Sequence, residues 1–222
     1  MKNIAIIPAR GGSKRLPGKN IKNLNGLPLI AHSILYAKKN LDIIDEIYVT
    51  TDDLDIKKIA IKYGAKVIDR PQNLSQDLEP TVTALAHVLL SIDYEVDTVI
   101  LLQPTNPLRP EKLLSEAYEL FEKEKYTSLF TVTRNYQKFG KILKNQFLPF
   151  NYEVGQRSQD LEPIFFENGL LYITKSELIL NNSIISKSAF PYIVEHSFAE
   201  IDIDTIEDFE YAEYIINKTN AN

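Results

Sequence analysis

Short apolar runs alternate with helix-like stretches along this chain of 222 residues, an order that points to an α/β fold with a mostly parallel sheet flanked by helices. Two further features agree. The run Thr98 to Leu102 is apolar without alternation, as expected of a strand covered on both faces. The length suits a single domain, 1–222, able to bury ~70% of its unfolded surface, and 44% hydrophobic with 25% charged residues is a globular composition.

Taken in order, Ile4 to Ile7, ended by Pro8, reads as the first strand. A loop rich in Gly, Pro, Asn and Lys fills 8–26, and Pro28 opens a helix to about Asn40. Glu46 to Thr50 is a second strand, Asp55 to Tyr63 a helix closed by Gly64, and Lys66 to Ile68 a third strand. Pro80 to Ser91 is a helix with Leu85, Val88, Leu89 and Ile92 on one face, and Pro110 to Glu124 is the next helix. Leu129 to Thr133 is strand-like. The stretch 134–165 is irregular, polar and dotted with aromatics, and is expected to form an inserted arm or flap. Gly169 to Thr174 is a strand, 175–181 a short helix, and 205–217 a closing helix with Ile206, Phe209, Ala212, Ile215 and Ile216 on its apolar face.

The net charge is −5, from 25 basic and 30 acidic residues, which disfavours nucleic acid as a partner. Cysteine is absent, which excludes thiol catalysis and cysteine-held metals and suits a reducing cytoplasm. No apolar run approaches the ~18 residues of a membrane span, and the N-terminal apolar stretch is too short for a signal peptide. A soluble cytoplasmic protein with no membrane partner is expected. His32, His87 and His196 have no metal spacing and read as structural. Residues 1–23 carry Lys2, Arg10, Lys14, Arg15, Lys19 and Lys22 but no Asp or Glu, a block that needs a reason in an acidic protein.

Ligands of parallel sheets bind beyond the carboxyl ends of the strands, so 8–20, 50–53 and 103–109 are the segments of interest. Pro8-Ala9-Arg10-Gly11-Gly12-Ser13-Lys14-Arg15-Leu16-Pro17-Gly18-Lys19-Asn20 combines flexible backbone N–H donors with four cations, the makings of a polyphosphate cradle rather than of a merely solvated loop. It is neither a P-loop nor a dinucleotide fingerprint. In Ile201-Asp202-Ile203-Asp204 the two carboxylates share one face of an extended segment. They suit Mg²⁺ held jointly with substrate phosphates; the alternative is that Asp204 merely caps the helix that follows. Gln103, Thr105, Asn106 and Arg109 offer hydrogen-bonding groups in a turn fixed by Pro104 and Pro107, as a polar-substrate site or an ordinary strand-to-helix loop. Thr50 to Asp53 reads as a helix cap, and the loop from Arg70-Pro71 to Asp77 could approach a base or ribose.

Together these strings, with Thr51-Asp52, Glu167-Asn168-Gly169 and Thr205 added, resemble the cytidylyltransferases that activate nine-carbon acidic sugars, the CMP-N-acetylneuraminate synthetases. The resemblance spans nearly the whole chain. It implies a nucleotide-diphospho-sugar transferase-like sandwich with a protruding element at a homodimer interface, for which Tyr136, Phe139, Phe147, Phe150 and Tyr152 are the exposed apolar candidates. It implies that CTP and an acidic nine-carbon sugar react to CMP-sugar and pyrophosphate. Arg10, Gly11, Gly12, Ser13, Lys14, Lys19 and Asn20 would hold the triphosphate, Arg70 and Thr81 the nucleoside end, and Gln103, Thr105, Asn106, Arg157 and Asn168 the sugar acid. Asp202 and Asp204 would bind Mg²⁺, with Arg10 and Lys19 neutralising charge on the phosphates. Two positions depart from the family pattern. Phe166 stands where many relatives carry an arginine, and Leu78-Glu79-Pro80 replaces small residues. Both bear on which sugar is used: N-acetylneuraminate first, with legionaminate, pseudaminate or 3-deoxy-octulosonate as alternatives.

Overall fold

The computed structural model describes residues 2–220. Its centre is a sheet of seven strands: β1 (Lys2–Pro8), β4 (Glu46–Thr51), β5 (Lys66–Asp69), β6 (Val96–Leu101), β7 (Ser128–Asn135), β10 (Ile164–Lys175) and β11 (Phe190–Ile193). They lie in the order β11-β7-β10-β6-β1-β4-β5. β10 alone runs antiparallel to its neighbours; all other pairings are parallel. The expected mostly parallel sheet with flanking helices is present.

The side chains of β1 alternate between two apolar layers. Ala5 and Ile7 point to the layer built with α1 (Leu29–Lys38), α2 (Leu54–Lys62) and α4 (Leu113–Lys123). Ile4 and Ile6 point to the layer built with α3 (Thr81–Ser91) and α5 (Ser176–Leu180). A third cluster joins Phe209, Ala212, Ile215 and Ile216 of α6 (Ile206–Asn220) to Leu16, Leu24 and Leu29. That cluster matters for function, because it fixes the basic loop against the segment carrying Asp202 and Asp204.

Three local differences from the sequence reading have physical reasons. The loop 8–26 contains a hairpin, β2 (Asn23–Leu24) with β3 (Leu27–Pro28), turned by Asn25 and Gly26 at φ 49° and 86°. Asn-Gly is the strongest short hairpin signal, so this one was visible. The stretch 134–165 is not wholly irregular: β8 (Gly140–Leu143) pairs with β9 (Gln146–Pro149) across Lys144-Asn145, both at positive φ. Lys-Asn is a weak turn signal, and the Phe147 ring covers the Gly140 backbone where any side chain would collide. β11 is an element the sequence reading does not contain; it includes Pro191, which an edge strand tolerates. Ile206, assigned to the apolar face of α6, is exposed.

Candidate active site

The carboxyl ends of β1, β5 and β6 meet the first turn of α3 and the segment before α6. They enclose a cleft of about 500 Å³. Arg10, Ser13, Lys14, Lys19, Asn20, Arg70, Thr81, Gln103, Thr105 and Asp204 all line it, ten residues the sequence had singled out from five separate segments.

The basic loop is shaped by its anchors. Asn20 Nδ2 donates to the Arg10 carbonyl at 2.9 Å, and the Gly11 N–H donates to Asp52 Oδ1 at 3.0 Å. A Cβ on Gly11 would come within 2.7 Å of Asp53 Oδ2, so the loop passes this close only as glycine. Nothing lies within 4 Å of such an atom on Gly12. Asp53 meanwhile caps α2 through the Asp55 and Ile56 N–H groups, as expected of that segment.

Lys19 is buried, and its ammonium donates to the Ile203 carbonyl at 2.8 Å and to Asp204 Oδ1 at 3.0 Å. Arg15 reaches the other Asp204 oxygen at 2.7 Å. Asp204 does not cap α6. Thr205 does so, with Asp208 accepting from the Asp204 and Thr205 N–H groups in a reciprocal box. Asp204 is therefore left to the cleft, while Asp202 sits behind it outside the lining. Burial first, then the charge of Asp204, pushes the Asp202 carboxyl above the usual carboxylate range. Among the described residues no group of three His, Cys, Asp or Glu side chains is placed to hold a metal. Two carboxylates with a repulsion that a cation would relieve do fit Mg²⁺, which is usually completed by substrate phosphates and water.

On the far wall Arg10 and Lys14 both pair with Asp77, the Arg10 contact being 2.9 Å. The two cations hold the Asp77 carboxyl below its ordinary range, with the Lys14 hydrogen bond the largest cause. Asp77 thus sits where an anionic ligand of these cations would compete with it. Asp77→Asn is expected to tighten binding of inorganic triphosphate a few-fold in titration calorimetry; weaker binding would mean that the carboxylate helps to form the site instead.

Six of the named residues do not line the cleft, Asp202 among them. Asn106 is 1% exposed and donates to the carbonyls of Asn168 and Ile201. Asn168, also buried, accepts from Thr131 Oγ1 and the Leu170 N–H. These amides tie the 103–109 turn, β10 and the Asp202 segment together; they do not line the cleft. Gly169, at φ 74°, leaves only 2.6 Å between a would-be Cβ and Asn106 Oδ1, which explains the Asn-Gly pair. Arg157 is exposed and forms a fork with Asp160 at 2.7 and 3.0 Å, outside the cleft lining. Gly11 and Gly12 bend the loop without lining the cleft. Arg15 and Asp77 belong to the site and were not assigned to it; their only sequence signal was membership of a basic block and of the Arg70 loop.

Loop cations facing an aspartate pair, at the carboxyl edge of a parallel sheet, are the equipment of a nucleotidyltransferase. The chain belongs to the family described as Cytidylyltransferase, whose model matches residues 4–221. It is 38% identical to a pseudaminic acid cytidylyltransferase of Campylobacter jejuni, over 100% of both chains. It is 34% identical to CMP-N,N'-diacetyllegionaminic acid synthase of Legionella pneumophila, over 97% of each. With N-acylneuraminate cytidylyltransferase A of Danio rerio it shares 33% identity over 94% of this chain and 49% of the relative. In fold it resembles a CMP-2-keto-3-deoxy-manno-octonic acid synthetase complexed with CTP, at TM-score 0.74 and 18% identity over 99% of this chain and 100% of the other. The likeness to CMP-sialic acid synthetases read from the motifs is thereby borne out, and the chain is an enzyme of the nucleotidyltransferase class. No helix among the described residues is long and apolar enough to cross a membrane.

Proposed function

We propose that the enzyme transfers CMP from CTP to the anomeric hydroxyl of a nine-carbon 2-keto acidic sugar, releasing pyrophosphate. The observation that carries this reading is the buried Lys19 bonded to Asp204 across the cleft from Arg10 and Lys14. The order of preference among acceptors departs from the motif reading. Relatives matched from end to end are named for pseudaminic and legionaminic acids, so these come before N-acetylneuraminate.

In this reading the triphosphate displaces Asp77 from Arg10 and Lys14, and Ser13 and Asn20 add neutral donors. Arg70 is held by the Thr50 carbonyl at 2.5 Å and offers its remaining guanidinium edge to the cytosine beside Thr81. Gln103 and Thr105 orient the acceptor. Its hydroxyl oxygen forms a bond to the α-phosphorus as the bond to the bridging β-phosphate oxygen breaks. The hydroxyl proton leaves to solvent and pyrophosphate departs with the bond electrons. Lys19 and Arg10 neutralise charge that grows on the phosphate oxygens, where positioning and charge do most of the work in phosphoryl transfer. Mg²⁺ on Asp202 and Asp204 would supply Lewis-acid polarisation of the phosphates.

The test is pyrophosphate release from CTP with Mg²⁺ and, in turn, pseudaminate, legionaminate, N-acetylneuraminate and 3-deoxy-octulosonate, with ATP, GTP and UTP as controls. Release with CTP and a nine-carbon acid is expected, and chelation by EDTA should stop it. Folded enzyme silent with every acceptor would sink the reading.

The arm adds an assembly to the proposal. Ile142, Leu143, Phe147, Leu148 and Phe150 all lie exposed on the β8–β9 hairpin and the residue after it. So many apolar side chains on two strands suit a covered surface, and the family resemblance supports a second copy of this chain as the partner. Light scattering should give twice the 25.4 kDa chain mass, and Phe147→Asp should return the single-chain mass. A single-chain mass for the unaltered protein at micromolar concentration would end this part of the reading.

A further inference from the structure

Three carboxylates line the cleft among the described residues: Asp77, Glu79 and Asp204. Two of them already have cations. Asp77 pairs with Arg10 and Lys14, and Asp204 with Arg15 and Lys19. Glu79 is different. It is partly buried, and none of the ion pairs among the described residues involves it. A bare carboxylate on the wall of a cleft built for a polyanion weakens binding by repulsion, unless a neutral donor of the ligand meets it.

The wall fixes which part of a nucleotide Glu79 can meet. The lining segment 77–81 has Asp77 at one end, on the cations of the basic loop, and Thr81 at the other, in the first turn of α3. Away from the cations the lining turns apolar, with Leu74, Pro80 and Ala84, groups that suit the face of a base and not a phosphate. Glu79 stands midway, two residues from either end, which is at most ~7 Å of chain. Its place is set from both sides. The Glu79 N–H donates to the Gln76 carbonyl at 3.2 Å, and Pro80, at φ −64° and ψ 146°, leads the chain into α3. In a nucleoside triphosphate the group between the phosphates and the base is the ribose.

We infer that the Glu79 carboxylate binds the ribose hydroxyls of CTP and so selects a ribonucleotide over a deoxyribonucleotide. The inference rests on the proposed reaction for the identity of the nucleotide. An ionised carboxylate has two acceptor oxygens and no donor, which matches a pair of neighbouring hydroxyls that both donate. Hydrogen bonds to a charged acceptor are about twice as strong as neutral ones. The negative charge is also best tolerated here, because the ribose carries none and the triphosphate has cations of its own. A site that offers acceptors to a hydroxyl rejects the analogue that lacks it, since the acceptors are then left unpaired.

Titration calorimetry with CTP, 2′-deoxy-CTP and 3′-deoxy-CTP, without any acceptor sugar, compares the unaltered enzyme with Glu79→Ala and Glu79→Gln. The unaltered enzyme should bind each deoxynucleotide about ten- to a hundredfold more weakly than CTP. Glu79→Ala should lose about that factor with CTP and little further with the deoxynucleotides, so that the three affinities converge. Glu79→Gln should keep part of the preference, because its amide oxygen still accepts. Thermal melting reports whether each variant is folded; if the alanine variant is not, Glu79→Gln carries the comparison. A preference for CTP that survives Glu79→Ala to within about twofold overturns the inference. So does an equal tightening of all three nucleotides, which would mark Glu79 as a charge that only repels phosphate. Folded enzyme that binds no CTP removes the reading of the nucleotide, and the inference with it. Because no acceptor is needed, silence in the turnover panel would sink the proposed reaction without touching this comparison.

Discussion

Lys19→Met is expected to lower kcat/KM by about two to three orders of magnitude while leaving the protein folded. The size follows from where the ammonium sits. An exposed ion pair is worth little, because water screens it and the side chain must be ordered. Lys19 is 8% exposed, and its ammonium is fixed by the Ile203 carbonyl and Asp204 before any ligand arrives. A preorganised cation in a site shielded from water needs no rearrangement as phosphate charge develops, so its removal is felt mainly in kcat. Methionine keeps most of the buried stem and removes the charge, which separates packing from electrostatics. Arginine should not restore the rate, since its planar fork cannot occupy a pocket closed around one nitrogen. The same change leaves Asp204 with only Arg15, and the repulsion that already disfavours ionisation of Asp202 should grow. The check is steady-state kinetics with far-UV circular dichroism. Loss of less than tenfold would mean that Lys19 serves the architecture of the Asp204 segment and not the reaction.

How far this site could be read without a structure depended on whether residues act locally or across the chain. The cap at Asp53, the turn at Gly64 and the order of strands and helices are local, so composition and spacing carried them. Of the ten cleft-lining residues, those of 8–20 and 103–109 were legible because they follow strands of a parallel sheet and such positions converge at one edge; Asp204 was marked by its spacing from Asp202, and Thr81 only by the family resemblance. Long-range pairing was not legible. That Asp77 would close on Arg10 and Lys14 requires a contact across more than sixty positions, with nothing but opposite charge to announce it. Asn106 and Asn168 lie behind the cleft instead of lining it. Polar side chains next to a site look like ligand contacts, yet buried backbone carbonyls at the meeting of three segments also demand donors. Arg157 illustrates a third limit: its motif position agreed with the family, but a neighbouring carboxylate three residues away captured it.

Arg109 should be the side chain on which the stability of the cleft depends most. It is buried without a carboxylate partner, and burial pushes its pKa down to about 10, so the guanidinium is still charged at neutral pH. Its Nε donates to the Leu170 carbonyl at 2.6 Å, one terminal nitrogen to Ser33 Oγ at 3.1 Å, and the other to the Gln103 carbonyl at 2.9 Å. One fork thus fastens β10, α1 and the turn carrying Gln103 and Thr105. Arg109→Met has two opposed effects. It relieves the cost of a buried charge, and it strands two carbonyls and a hydroxyl at about 1–3 kcal/mol each. The second effect should win, because the acceptors belong to three rigid elements that cannot turn to water. A net loss of about 3 kcal/mol is expected, which for a chain of this size lowers Tm by roughly 6–12 °C. Arg109→Lys should fall by nearly as much, since one ammonium cannot reach three acceptors set around a planar fork. In both variants acceptor use should weaken more than CTP binding, because Gln103 and Thr105 lose their anchor while the loop of Arg10 to Asn20 keeps its own through Asp52 and Arg10. Calorimetry and the two KM values test this together. A Tm within about 2 °C of the unaltered enzyme would show that the three segments are held by packing, with the arginine adding no net stability.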